Sequence, residues 1–252
     1  MSEGTVERKL IMRFLYLVLR FLFIFFQLHT ISKEEQHIIQ QETLGQNNNK
    51  RWMQERLMRI TASNFGRICK ATERTDLSNL ATTLMRQREF SSKATAHGQK
   101  YESVAVEEFE RIAGQCASEC GLFVDLVHPW LAASPDRLLT GNKILEVKCP
   151  YTSKDKPINH VTVPYLVKRD SGLTLRKDHD YYYQVQGQLM CCDADACMFV
   201  VFTMCDIKII EIKKDEDFIE SMLSKLQQFF VEHFYSALVV KYVYNDYAKY
   251  FG

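Results

Sequence analysis

The order of patterned segments predicts an α/β (α+β) chain with a mixed central β-sheet flanked by helices. Three observations carry that prediction. Apolar residues recur at helical spacing up to Gly114, the period shortens to that of strands between Gly121 and Cys149, and the remainder runs helix, two strands and a long amphipathic helix. The 252 residues suit one domain of about 200 residues with an extension. A composition 46% hydrophobic and 25% charged is that of a globular protein. The net charge of +1 excludes a global basic field, so any surface for a polyanion has to be a local patch. Eight cysteines in a chain of this length are too sparse for a disulfide framework and read as reduced thiols.

Residues 10–28, "LIMRFLYLVLRFLFIFFQL", approach the ~20 apolar residues that span a bilayer. Arg13 and Arg20 interrupt them, and a central arginine costs about 2.5–3.5 kcal/mol on insertion. Signal anchor, membrane-surface helix, organelle presequence and plain extension all stay open. The segment could contact a membrane or anchor an otherwise intracellular protein of nucleus, cytoplasm or mitochondrion. Residues 44–52, "LGQNNNKRW", are polar and aperiodic and read as the linker between an extension, 1–43, and a main domain, 44–252.

Thr61 or Ser63 is placed to cap a helix running through Phe65 and Ile68, and a second helix is expected over Leu77–Phe90. Over 97–114, Tyr101, Val104, Ala105, Phe109 and Ile112 recur at helical spacing, which turns Glu102 toward the buried edge and Glu107, Glu108 and Glu110 toward solvent. Next come short strands, with a turn near Gly141 that folds the run "LAASPDRLL" against "ILEVKC" as a hairpin. Residues 151–180 are polar and basic and could track a nucleic-acid backbone or form a solvated loop. "DYYYQVQGQLM" reads as a helix with Tyr181, Gln184 and Gln188 on one face, followed by strands "CMFVVFTM" and "IKIIEIKK" and a C-terminal helix.

The hairpin poses the chemical question. Asp136, Glu146 and Lys148 stand in a run rich in Leu, Ile, Val and Ala, where an unpaired charge costs several kcal/mol. Strand alternation turns Glu146 and Lys148 to the same side, with Asp136 opposite on the partner strand. Two solutions exist: a buried ion-pair cluster, or a divalent cation such as Mg2+ or Mn2+ held by carboxylate oxygens. Arg59, Thr61 and Ser63 join a guanidinium to a helix start, which suits a phosphate but equally a capping box with a solvated arginine. Ser134 is either a phosphate donor or the turn residue before Pro135.

Five blocks in order, "RITASNFGRI", "GQKYE", "SPD", "LEVKCPYTSKD" and "YYYQVQGQLM", resemble the YqaJ-type, lambda-exonuclease-like branch of the PD-(D/E)xK nucleases. The similarity runs over about residues 50–240 and leaves the N-terminal segment outside. It implies a restriction-endonuclease-like core and a Mg2+- or Mn2+-dependent exonuclease acting on linear duplex ends, in DNA recombination or repair. Asp136, Glu146 and the Val147 carbonyl would be metal ligands, with Glu102 helping to hold a second ion. Lys148 would orient or deprotonate water, or act as an electrostatic anchor. Gln184 would fix Lys148 or the water. Arg59, with Thr61, Ser63 and Ser134, would seat an end phosphate. Relatives of the lambda type form ring-shaped homo-trimers, and a single-strand-annealing recombination partner is also implied. An endonuclease on the same core and a non-catalytic end-binding module remain as alternatives.

Overall fold

The structure is a computed structural model that describes residues 12, 13, 15–19, 21, 22, 25, 28, 30–86, 92–170 and 172–244. Residues 10, 11, 14, 20, 23, 24, 26 and 27 of the apolar N-terminal segment, and the expected helix end at 87–90, lie outside the described residues.

Helices α1 (Lys33–Glu42), α2 (Lys50–Met58), α3 (Phe65–Cys69), α4 (Leu77–Leu84) and α5 (Lys93–Ala113) precede most of the strands. Their starts are set by side-chain caps. Ser32 and Glu35 form a capping box on α1, Asn49 accepts from the amides of Arg51 and Trp52 at α2, Asp76 caps α4 and Ser92 caps α5. The 44–52 stretch is therefore no linker: it holds a 3-10 turn, Gln46–Asn48, and the start of α2. Its polarity reflects capping. Thr61 makes no side-chain cap, because its hydroxyl accepts from Asn64 Nδ2 at 3.0 Å instead. On α5, Ala105 and Phe109 are buried as expected, but Val104 and Ile112 are 43% and 47% exposed. Glu107 is exposed, while Glu108 and Glu110 are only half-buried because Glu108 holds Arg111 and Glu110 accepts from the Ala117 amide.

The central five-stranded sheet has the order β10 (Ile207–Lys213), β9 (Ala196–Phe202), β6 (Lys143–Lys148), β5 (Arg137–Leu139), β2 (Ser118–Glu119). Strand β6 pairs parallel with β9 and antiparallel with β5, so the sheet is mixed. Strand β9 is a nearly continuous apolar run, as a strand covered on both faces requires. A three-stranded sheet, β1 (Ile60–Thr61), β4 (Leu131–Ala133) and β3 (Phe123–Val124), carries the chain from α2 toward the hairpin. Strands β7 (Leu166–Arg169) and β8 (Gly172–Leu175) form a separate hairpin inside the stretch expected to be irregular. Helix α5 and helix α6 (Asp180–Cys191) pack on the sheet, and helix α7 (Glu216–Phe229) packs on α3 and α6. Beyond α7 the C-terminal helix widens into π-turns at 230–234 and 240–244 around α8 (Tyr235–Val239).

The largest core cluster joins Phe65, Leu131, Leu226, Phe234 and Leu238 and includes Leu28 from the N-terminal segment. The described positions between 12 and 28 are helical, and Phe21 lies edge-on to Tyr235 with centroids 6.3 Å apart. Among the described residues no helix is long and apolar enough to cross a membrane. Gly187 lets α6 lie directly on α3: a Cβ there would fall 2.5 Å from the buried Phe65 ring.

Helix α1 is locked to the body at Gly121. Thr43 Oγ1 accepts from the Leu122 amide at 2.7 Å, and a Cβ on Gly121 would overlap the Gln40 carbonyl and Thr43. Backbone atoms cannot swing away, so Gly121→Ala is expected to destabilise the protein by about 1–3 kcal/mol through overpacking. A thermal melt reads this directly, and an unchanged midpoint would contradict the close approach of α1.

Candidate active site

Strand alternation and one helix face build the site. The Asp136 amide donates to the Leu145 carbonyl at 3.1 Å, and Asp136 Oδ2 accepts from the Val147 amide at 2.7 Å. This fixes its carboxylate beside β6. Glu146 is 2% exposed, and Lys148, two residues along the same strand, donates to Glu146 Oε1 at 2.5 Å. Tyr181, Gln184 and Gln188 project from α6 toward this pair. Gln184 Nε2 donates to Glu146 Oε1 at 2.7 Å, Gln188 Nε2 donates to Oε2 at 2.6 Å, and the Tyr181 ring lies 4.6 Å from Lys148 Nζ. Gln184 was expected to contact Lys148 or a water; its partner is Glu146. Gln188, on the same helix face, is the expected second contact from α6, and its partner too is Glu146. Gln188 Oε1 is buried and has no hydrogen-bond partner among the described residues.

Burial pushes the Asp136 carboxyl well above the usual carboxylate range, and the nearby Glu146 and Glu102 carboxylates push it further. Lys148 and the Val147 amide oppose this without cancelling it. For Lys148, burial disfavours the ammonium, but Glu146 and Asp136 outweigh burial and hold the group above its ordinary range. The neighbouring carboxylates thus favour the charged form of Lys148.

Glu102 is the outlying carboxylate. It reaches from α5 but pairs with Arg137 Nη1 at 3.4 Å, and its side chain is 36% exposed. Among the described residues no group of three or more His, Cys, Asp or Glu side chains converges as a metal site. The donor chemistry nevertheless fits a hard cation. Asp136 and Glu146 supply oxygens only, and the mutual repulsion that raises Asp136 is what a bound dication relieves. Glu146 Oε2 accepts from Gln188 and keeps a lone pair for such a cation, while Glu102 would exchange Arg137 for it.

The expected phosphate group divides in two. Arg59 is buried: its Nε donates to the Pro129 carbonyl at 2.9 Å and its Nη1 pairs with Glu55. These contacts tie α2 to the chain ahead of β4. Arg56, one turn earlier, was not singled out by sequence. Its guanidinium lies 4.2 Å from the Trp52 ring and donates to Ser63 Oγ at 3.4 Å. No carboxylate pairs with it among the described residues, and burial pulls it down to about 10. Trp52 Nε1 in turn donates to Ser134 Oγ at 2.9 Å, two residues from Asp136. Thr61 and Ser63 hydroxyls lie 3.3 Å apart in the same strip. The i,i+4 spacing of Trp52 and Arg56 was the available signal, hidden by the linker reading.

The raised Asp136 carboxyl gives a signed prediction. The folded chain binds this proton more tightly than the unfolded chain, so the associated stability is present below the unfolded carboxylate range and is lost as pH rises through the folded value. In EDTA, Asp136→Asn should therefore raise the melting temperature at pH 8 and leave it nearly unchanged at pH 4. The amide oxygen can still accept from Val147. A variant equally or less stable than wild type at pH 8 would contradict the buried, repelled carboxylate.

Comparisons with known proteins fit this geometry. An alkaline nuclease of Orgyia pseudotsugata multicapsid polyhedrosis virus is 26% identical over 214 residues, covering 75% of this chain; the chain spans 48% of that relative's length. The crystal structure of an alkaline exonuclease (LHK-Exo) from Laribacter hongkongensis superposes with a TM-score of 0.62 at 23% identity, covering 80% of this chain and 99% of that one. The same exonuclease in complex with dAMP matches with a TM-score of 0.62 at 24% identity, with the same coverage of 80% and 99%. A phage related exonuclease from Haemophilus somnus 129PT gives 0.51 at 15% identity, covering 76% and 96%. These likenesses establish the restriction-endonuclease-like fold with its mixed sheet between helices. The profile of the YqaJ-like viral recombinase domain spans residues 51–195, from just before Trp52 past the Gln184–Gln188 helix and so across every side chain of the site, and the chain belongs to that family.

Proposed function

We propose that this protein is a divalent-metal-dependent deoxyribonuclease that hydrolyses DNA from duplex ends. The observation that carries the proposal is Glu146, a buried carboxylate contacted at once by Lys148, Gln184 and Gln188 with Asp136 beside it, immediately ahead of β5. So many donors on one strand-borne carboxylate preorganise a charged site that a merely structural ion pair does not need. The names of the similar proteins, alkaline nuclease and alkaline exonuclease, support the same reading, as does the dAMP complex, since a mononucleotide is what exonucleolytic cutting releases.

Asp136, Glu146 and the Val147 carbonyl would hold Mg2+ or Mn2+, with Glu102 at a second ion. Bound metal supplies Lewis-acid stabilisation of the phosphoryl oxygens. Lys148 carries the positive charge that orients the attacking water and the scissile phosphate. Gln184 and Gln188 hold Glu146 in one rotamer, and Tyr181 limits where Lys148 can swing. Arg56, Ser63 and Ser134 form the strip that takes the terminal phosphate, with Arg59 holding α2 in place beneath it. The family resemblance extends the proposal to recombination or repair, to a ring-shaped homo-trimer that light scattering would read, and to a strand-annealing partner.

The test uses the full chain, Mg2+, an end-labelled linear duplex and a covalently closed circle of the same sequence. Degradation of the linear DNA with the circle spared is expected. Cutting of the circle would assign an endonuclease, and tight end binding without hydrolysis in either Mg2+ or Mn2+ would assign a binding module.

A further inference from the structure

Beside the carboxylates lies an aromatic and cationic cluster that the chemistry above does not use. His97 and Tyr101, one turn apart on α5, have ring centroids 4.6 Å apart. The Tyr151 ring, on the 3-10 turn just after β6, meets His97 edge-on at 5.6 Å. Lys100 Nζ lies 5.2 Å from the Tyr101 ring, and Lys154 Nζ lies 5.2 Å from the Tyr151 ring. None of these rings is fully buried, and Tyr151 is 36% exposed. The cluster adjoins the site through both of its elements: Tyr101 precedes Glu102, and Tyr151 follows Lys148 by three residues.

Gly98 adds an independent observation. It lies inside the 21-residue helix α5, where glycine costs about 1 kcal/mol relative to alanine. A Cβ at this position would meet no atom within 4 Å, so no packing contact within the chain requires the glycine. It stands four residues before Glu102, on the same helix face, and next to His97. The helix surface therefore carries no side chain one turn before Glu102.

We propose that His97, Tyr101 and Tyr151 form a stacking shelf for one unpaired base of the DNA strand at the active site, with Lys100 and Lys154 on its flanking phosphates and Gly98 allowing the backbone to pass. The proposal rests on the nuclease reading and deepens it: the enzyme holds its substrate strand locally single. Stacking on aromatic faces accepts every base, which suits an enzyme that moves along DNA of any sequence. Burial, with Lys154 and Lys100 close by, also holds the His97 imidazole below its ordinary range, and a neutral ring stacks without adding charge.

The experiment is a binding cycle in EDTA, so that hydrolysis plays no part. The probes are a 5′-phosphorylated duplex with 2-aminopurine at its terminal nucleotides and the same duplexes with an abasic residue at those positions. Wild type, Tyr151→Ala, His97→Ala and Tyr151→Phe are compared, with melting curves as a folding control. The expected result is quenching of 2-aminopurine by wild type and Tyr151→Phe but not by the two alanine variants. Those variants should bind the base-containing duplex about tenfold more weakly and bind the abasic duplex as wild type does. Equal losses on both duplexes with unchanged quenching would overturn the shelf while leaving the nuclease reading intact. No end binding by wild type at all would remove the reading and the shelf together.

Discussion

Glu146→Ala is expected to lower turnover of the linear duplex on the order of 1,000-fold or more, with duplex binding in EDTA retained. The size follows from position. Lys148, Gln184 and Gln188 all aim at this one carboxylate, so its removal leaves one buried and two half-buried polar groups without their common partner and takes one oxygen donor pair from the metal site. Glu146→Gln should rescue little, because an amide nitrogen would face donors that need an acceptor. Asp136→Ala should match the loss. Lys148→Ala should lower turnover far more than affinity, since a charge that orients water and phosphate in the transition state registers in kcat. Turnover by Glu146→Ala near that of wild type would show that Glu146 is part of a structural ion pair and place the chemistry elsewhere.

The site was legible in sequence wherever it depends on local periodicity. Alternation along β6 placed Glu146 and Lys148 on one side, the turn at Gly141 brought Asp136 opposite, and the 3.6-residue period aligned Tyr181, Gln184 and Gln188. The mixed sheet followed from the same patterns. What escaped depends on how separate segments meet. Which of two arginines one turn apart is buried is decided by the chain's bend from α2 into β1 and by the Pro129 carbonyl, 70 residues away in sequence. The partner of Glu102 is Arg137, supplied by another element, and periodicity alone did not show that Val104 and Ile112 are exposed. The β7–β8 hairpin was hidden because its strands are four residues each and carry Lys168 and Arg169. The polar stretch at 44–52 read as a linker because capping residues and linker residues are the same types.

The two arginines of α2 and its exit separate fold from recognition. Arg59→Ala is expected to destabilise the chain by about 3–5 kcal/mol, because it leaves Glu55 and the Pro129 carbonyl without a guanidinium in a buried setting. Arg59→Lys should restore only part of that stability, since a single ammonium cannot reproduce the fork that serves both partners. Arg56→Ala should lie within about 1 kcal/mol of wild type, losing a stacking contact on Trp52 and one long hydrogen bond to Ser63. Its effect belongs to the substrate. Wild type should degrade a duplex bearing a 5′-phosphate faster than one without, and Arg56→Ala should lose that preference while keeping residual cleavage, because a phosphate at the Arg56–Ser63–Ser134 strip finds a half-buried guanidinium that no carboxylate among the described residues pairs with. Urea denaturation and the paired substrates measure both effects in the same preparations. Should Arg59→Ala keep the wild-type urea midpoint and lose the phosphate preference instead, the end phosphate belongs to Arg59 and the strip at Arg56 is a structural contact.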